Sequence, residues 1–210
     1  MRSLFEKNIE SGKLQDRVNH FIPFPCNTTN GRSFVRPTNI NKLKPGDIDV
    51  IASIGDSLTA ANGGMSSNIL HVLNENRAIS FSGGGKGTWR EFLTLPNILK
   101  EFNPRLYGYS VDDVLALDKS SRLNVAEPMI MSRDMTYQSK ALIKRMKADK
   151  KIDMKRDWKL LTIFVGNNDI CSDMCHHNPQ SNFADQHEKD LESTLRILRD
   201  NIPRLFVQIV

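Results

Sequence analysis

Asp49-Val50-Ile51-Ala52-Ser53-Ile54-Gly55-Asp56-Ser57-Leu58-Thr59 joins an apolar, β-branched run directly to Gly-Asp-Ser, and the chain then turns polar through Ala60-Ala61-Asn62-Gly63-Gly64. A short continuous apolar run of this kind reads as a parallel strand covered on both faces. Gly-Asp-Ser then falls at the strand's carboxyl end, where open α/β sheets place their ligands. A serine on such a turn can act as a nucleophile with backbone N–H groups behind it. The same three residues also fit a helix N-cap, in which Ser57 only accepts a backbone N–H, or a small anion cradle.

Working outward, Lys159–Val165 is the next clear strand, running into the polar turn Gly166-Asn167-Asn168-Asp169. Asp185–Asp200 has Leu191, Leu195 and Leu198 on one stripe and reads as an amphipathic helix, followed by a strand over Arg204–Val210. Thr136–Lys147 carries the apolar stripe Ala141, Leu142 and Met146 and reads as helical. Arg122–Ala126 is a short strand candidate ending in the turn Glu127-Pro128-Met129. Thr88–Phe102 reads as one or two helical turns broken near Pro96, and Asn68–Asn74 as a short helix. Alternating strands and helices imply right-handed βαβ units, a parallel sheet and an α/β fold. Residues 1–45 read as a helix near Leu4–Val18 and an extended, turn-rich arm; residues 46–210 read as the domain proper.

The bulk numbers fit one ordinary globular domain. The chain has 210 residues, of which 39% are hydrophobic and 25% charged, which excludes a disordered or low-complexity class. The formal charge is +5, but aspartates interrupt the densest basic run, Lys144–Arg156. That run reads as a solvated face and not as a nucleic-acid footprint. No stretch approaches the roughly 20 apolar residues of a membrane span, and the first residues lack the apolar core of a signal peptide. Asn27-Thr28-Thr29 is a glycosylation acceptor only if the protein is secreted. Cys171 and Cys175 could pair or remain thiols, and Cys26 stands apart. His176 and His177 follow Cys175 without a four-ligand zinc spacing, so no metal and no cofactor are expected.

Three strand ends bring Ser57, the Glu127-Pro128-Met129 turn and Asn168 to one rim. Gly55-Asp56-Ser57-Leu58 with Gly166-Asn167-Asn168-Asp169 about a hundred residues on resembles the GDSL (SGNH) serine hydrolases. The finer resemblance is to their membrane-associated phospholipase B branch. It runs through Pro45-Gly46-Asp47, Ile54–Ala60, Thr94–Pro104, Asp157-Trp158-Lys159 and Cys171-Ser172-Asp173-Met174-Cys175. The resemblance implies a flavodoxin-like three-layer α/β/α sandwich. It also implies hydrolysis of acyl esters of phospholipids and lysophospholipids at a membrane surface, extracellular or membrane-associated, with no protein partner evident. Ser57 is then the nucleophile, and Asn168 and the Ser57 N–H are oxyanion donors. Met129 stands where the family has a glycine whose N–H also serves the oxyanion; methionine keeps the N–H but disfavours positive φ. No Asp-x-x-His block, the family's source of the general base, follows the last strand. His71, His176, His177 and His187 read as surface or loop residues and His20 as part of the arm; His176 and His177, close after the Asn168 turn, are the first in line only if a substitute base lies within these residues. The expectation is therefore a C-terminally incomplete SGNH domain, a fragment whose general base is missing. A different class stands beside it: a non-catalytic SGNH-fold protein that binds lipid or a partner. An anion or nucleotide binder using Gly63-Gly64 is a third reading.

Overall fold

The computed structural model describes Glu6, Ile9, residues 14–173 and residues 183–210. Three parallel strands form the sheet in the order β1 (Ile48–Gly55), β2 (Trp158–Phe164), β3 (Leu205–Ile209). The register pairs Gly55 with Phe164 and Ile163 with Ile209, so all three carboxyl ends share one edge of the molecule. Three α-helices accompany them: α1 (Leu95–Phe102), α2 (Met135–Ala148) and α3 (Phe183–Asn201).

Strand alternation sorts the core into two layers. Val50, Ala52, Ile54, Leu161 and Ile163 face one way and pack with Leu142, Ile143 and Met146 of α2 and Leu198 of α3. Ile51, Trp158 and Leu160 face the other way and pack with Leu99 of α1 and with Leu106. Helices on both faces of a parallel sheet make an α/β/α sandwich. β1 is nearly wholly buried, which is why its sequence is continuously apolar.

The other edge of β1 is occupied in two pieces. Tyr107 pairs with Val50 and Asn124 with Ser53, both in parallel bridges. Backbone bonds then continue from Val125 N–H to Ser53 O and from Glu127 N–H to Gly55 O. The strand expected over Arg122–Ala126 is thus a single bridge extended by loop bonds. Arg122, at φ 47°, opens the segment and keeps it short.

Pro96 lies in the first turn of α1, where its missing N–H costs nothing, and Thr94 caps the helix. It begins the helix and does not break it, correcting the expectation for Thr88–Phe102. Asn68–Asn74 is a 3₁₀ turn, Ile69–Leu73, capped by the Asn68 side chain. Residues 14–18 are not helical, so the N-terminal helix does not reach Val18; the rest of that expectation lies mostly outside the described residues.

From residue 15 the arm lies along the domain. The Gln15 amide donates to Trp89 O and accepts from Leu93 N–H. Phe24 sits edge-on to Trp89 and Phe102, and Arg32 and Arg36 reach Asp49 at the start of β1. The Trp158 indole N–H closes the contact by donating to Pro37 O at 2.8 Å.

Candidate active site

Gly55 ends β1 where no side chain fits: a Cβ would lie 2.2 Å from Phe164 O and 2.5 Å from Thr59 Oγ1. The chain turns there, leaving Asp56 buried and Ser57 half-buried. The Asp56 carboxylate accepts the Leu58 N–H at 2.9 Å, which shapes the turn. Its other oxygen faces the Asn167 amide nitrogen at 3.4 Å, a long contact that joins this turn to the one after β2.

The turn after β2 carries Asn168. Its side-chain nitrogen donates to Ile130 O at 2.8 Å. A carboxamide has two N–H donors, so this bond engages one and leaves the second for another acceptor. Asp169 is buried, and its carboxylate accepts from the Ser132 N–H at 2.9 Å and from the Ser132 hydroxyl at 2.5 Å. Asn168 and Asp169 therefore fasten the β2 turn to residues 130–132.

Met129 precedes that anchored stretch. Its φ is 63° and its side chain is 83% exposed. A left-handed backbone with an outward-pointing side chain is the geometry of a glycine position occupied by another residue.

Two interior residues that sequence reasoning missed brace these turns. The buried amide of Gln138, on α2, accepts from Gly55 N–H and donates to Gly55 O, both at 2.8 Å. Arg77 is wholly buried. Its guanidinium donates to Asn124 O and Oδ1 at 3.1 Å each, to Ala126 O at 2.5 Å and to Glu75 at 2.6 Å. Burial lowers its pKa, and the Glu75 carboxylate opposes that shift. Asn124 in turn donates to Thr59 O at 3.1 Å. Both residues look like surface polar residues in the sequence, because Gly55, Asn124 and Ala126, which they brace, are distant from them in the chain.

Three imidazoles fall among the described residues. His20 lies exposed against Phe21, and His71 contacts Ser67 and Asn68. His187 stacks with Phe183; a Cβ on Gly166 would lie 3.2 Å from its ring, which sets His187 against the start of the Asn167-Asn168 turn. Among the described residues no histidine bonds to Ser57. Asp173-Met174-Cys175-His176 does have an Asp-x-x-His spacing, between β2 and α3, but Cys175, His176 and His177 lie outside the described residues. Cys26 and Cys171 are exposed thiols. Among the described residues no cluster could hold a metal ion.

A cavity of about 270 Å³ lies beside the Ser57 turn, walled by Leu14, Ala61, Ile79, Phe81 and Leu93. Phe81 also packs edge-on against Phe164 at the end of β2. A second cavity, about 850 Å³, lies around Trp158 and Leu205 at the amino ends of β2 and β3. It is at the wrong end of the sheet for chemistry at Ser57.

Comparison with known proteins places this arrangement. The GDSL-like lipase/acylhydrolase family profile matches residues 51–210. The chain is 40% identical over 174 residues to membrane-associated phospholipase B1 of Mus musculus, covering 83% of this chain and 11% of that protein. It is 42% identical over 179 residues to the Homo sapiens protein of the same name, covering 83% of this chain and 12% of that protein. The chain thus spans about one-ninth to one-eighth of the length of these relatives. No solved structure matches it significantly. By its profile match and its parallel α/β/α sheet, the chain belongs to the GDSL-like lipase/acylhydrolase family.

Proposed function

We propose that this domain is a lipolytic carboxylic ester hydrolase acting on phospholipids and lysophospholipids. The observation that carries the reading is the mutual fastening of three turns at the carboxyl end of the sheet. Asp56 faces Asn167, Asn168 donates to Ile130, and Gln138 holds Gly55. Such bonding restrains the positions of Ser57, Met129 and Asn168 before any substrate arrives. Preorganised donors are what an acyl-transfer transition state needs.

In this reading the Ser57 hydroxyl attacks the ester carbonyl. The negative charge that develops on the carbonyl oxygen is met by the free N–H of the Asn168 amide, the Ser57 N–H and the Met129 N–H. Loss of one such donor typically costs about 2.7–4 kcal/mol of barrier. A general base must take the Ser57 proton, and no imidazole among the described residues bonds to it. The non-catalytic alternative, a lipid-binding member of the family, does without that base. No helix among the described residues is long and apolar enough to cross a membrane.

Fluorophosphonate labelling, read by intact mass against a Ser57→Ala control, separates the two readings. Labelling that vanishes in the control supports an activated Ser57. A His176→Ala or His177→Ala variant that also fails to label would then name the base. A folded chain that does not label supports the non-catalytic reading.

A further inference from the structure

The segment after the nucleophile turn forms a small apolar promontory. Ile69 is 83% exposed, Leu70 78%, Val72 47% and Leu73 79%, all on one 3₁₀ turn. Four large aliphatic side chains within five residues, all facing solvent, differ from the scattered apolar residues of an ordinary surface.

The promontory is built to stand out. Its neck is closed by an antiparallel bridge between Asn62 and Glu75 and by bonds from Gly63 N–H to Asn74 O and from Asn76 N–H to Ala61 O. At its tip the polar side chains bond to one another and to the backbone: Asn68 Oδ1 accepts from Leu70 and His71 N–H, and the His71 ring contacts Ser67 and Asn68; Asn62 Oδ1 and Ser66 Oγ, nearer the neck, are buried without a partner. No Asp, Glu, Lys or Arg occurs from Ser57 to Asn74. A tip with outward aliphatics and no acidic or basic side chain of the Asp, Glu, Lys or Arg type can enter an apolar medium at a lower cost than a charged loop. The neck is also fastened to the candidate nucleophile, because Asn62 N–H donates to Ser57 O at 2.9 Å. Leu58, on the same turn, is 53% exposed.

We infer that Ile69-Leu70-His71-Val72-Leu73 is an interfacial docking loop that inserts its aliphatics into a phospholipid surface and sets the Ser57 turn against it. The choice of a lipid surface as occupant, over a protein, rests on the proposed phospholipid substrate and on the loop's bond to Ser57. A loop that enters the layer holding the substrate brings the reacting ester to the serine without extracting the whole lipid into water.

The test is partition of the chain onto zwitterionic phosphatidylcholine vesicles, read by co-sedimentation, with Ser57→Ala included. The expected result is binding that survives 0.5 M NaCl and Ser57→Ala alike. It should fall at least tenfold in Leu70→Asp/Leu73→Asp, with thermal unfolding and circular dichroism unchanged. Should that double variant fold poorly, Leu70→Trp gives a second readout: its emission should shift to the blue with vesicles and be quenched by brominated lipid. Three results overturn the inference: wild-type chain that does not bind, binding that the double variant leaves unchanged, or a lipid-free dimer that the double variant dissolves. The last would make the loop a self-interface. Because binding needs no turnover, a failed Ser57 labelling with intact vesicle partition rejects the hydrolase reading alone, and the converse rejects only the loop.

Discussion

Gln138 holds Gly55 by both of its backbone groups, accepting the N–H and donating to the carbonyl at 2.8 Å each. A helix on one face of the sheet thereby fixes the last residue of β1, two positions before Ser57. Gln138→Ala orphans the buried Gly55 N–H, while Gly55 O keeps the Glu127 N–H as donor. One buried, unsatisfied donor costs about 1–3 kcal/mol, and denaturant unfolding should show a loss in that range. Gln138→Glu adds a pH signature. An ionised carboxylate can accept the Gly55 N–H but sets its second oxygen against Gly55 O, whereas a protonated carboxyl can donate there. Folding therefore raises the pKa of the introduced group above about 4.3. The variant's deficit should be smallest below about pH 4.3 and widen as pH rises through the folded pKa.

Gly55→Ala tests the closest approach in the sheet. The added methyl would lie 2.2 Å from Phe164 O, a backbone atom that moves only if β1 and β2 part. Steric conflict with a ladder carbonyl belongs to the exceptional class of substitutions, above about 4 kcal/mol. The variant should fail to give soluble, folded protein, and a two-state transition near wild type would show that the turn adapts.

Arg77→Met removes the donors from Asn124, Ala126 and Glu75 at once. Leaving a buried carboxylate without its cation costs about 3–5 kcal/mol. Arg77→Lys should recover only part of this, since one ammonium cannot reproduce the fork that spans Glu75, Asn124 and Ala126. The expected order of unfolding midpoints is wild type, then Lys, then Met. The loss should also slow any Ser57 labelling, because Asn124 and Ala126 lead to Met129.

Which of these features the sequence discloses follows from the range of the interactions. β1 and β2 are legible because burial on both faces demands continuous apolar runs, β3 because its β-branched and aromatic residues mark a strand even where it is only part-buried, and α2 and α3 because one apolar stripe faces the sheet. Ser57 and Asn168 are legible as turn residues at strand ends. Arg77 and Gln138 are not, since the backbone groups they brace lie 47 to 83 residues away, and the Glu75–Arg77 pair reads locally like any surface ion pair. The second edge of β1 is misread as one strand because Tyr107 and Asn124 share it across a gap that no periodicity marks. The broken proline helix fails for a local reason: Thr94, two residues before Pro96, supplies a cap that turns the proline into a start signal.

Tyr107 offers a test of the fold by pH alone. Burial, with the phenol donating to Asp149 Oδ2 at 2.7 Å, pushes its pKa up to about 12. The folded state holds this proton where the unfolded chain, with a tyrosine near 10, releases it. The contribution to stability is thus whole below about pH 10 and disappears as pH rises toward 12. Absorbance titration at 295 nm should lose a step near pH 12, not near 10, in Tyr107→Phe. The variant should also unfold less steeply across that window.

Met129→Gly links strain to chemistry. The residue's φ of 63° is a conformation that disfavours any side chain, and its 83% exposure means that little packing is lost on truncation. Left-handed backbone costs a non-glycine residue roughly 1–2 kcal/mol, and the extra freedom of glycine in the unfolded chain takes back about 0.4–1 kcal/mol. A net gain between about 0 and 1.6 kcal/mol is the expected change in unfolding free energy. If the Met129 N–H serves the oxyanion, the same substitution should speed fluorophosphonate labelling of Ser57, because glycine holds the left-handed backbone that aims this donor without strain. A stability gain with no change in labelling would leave Met129 as a turn residue and remove its N–H from the oxyanion site.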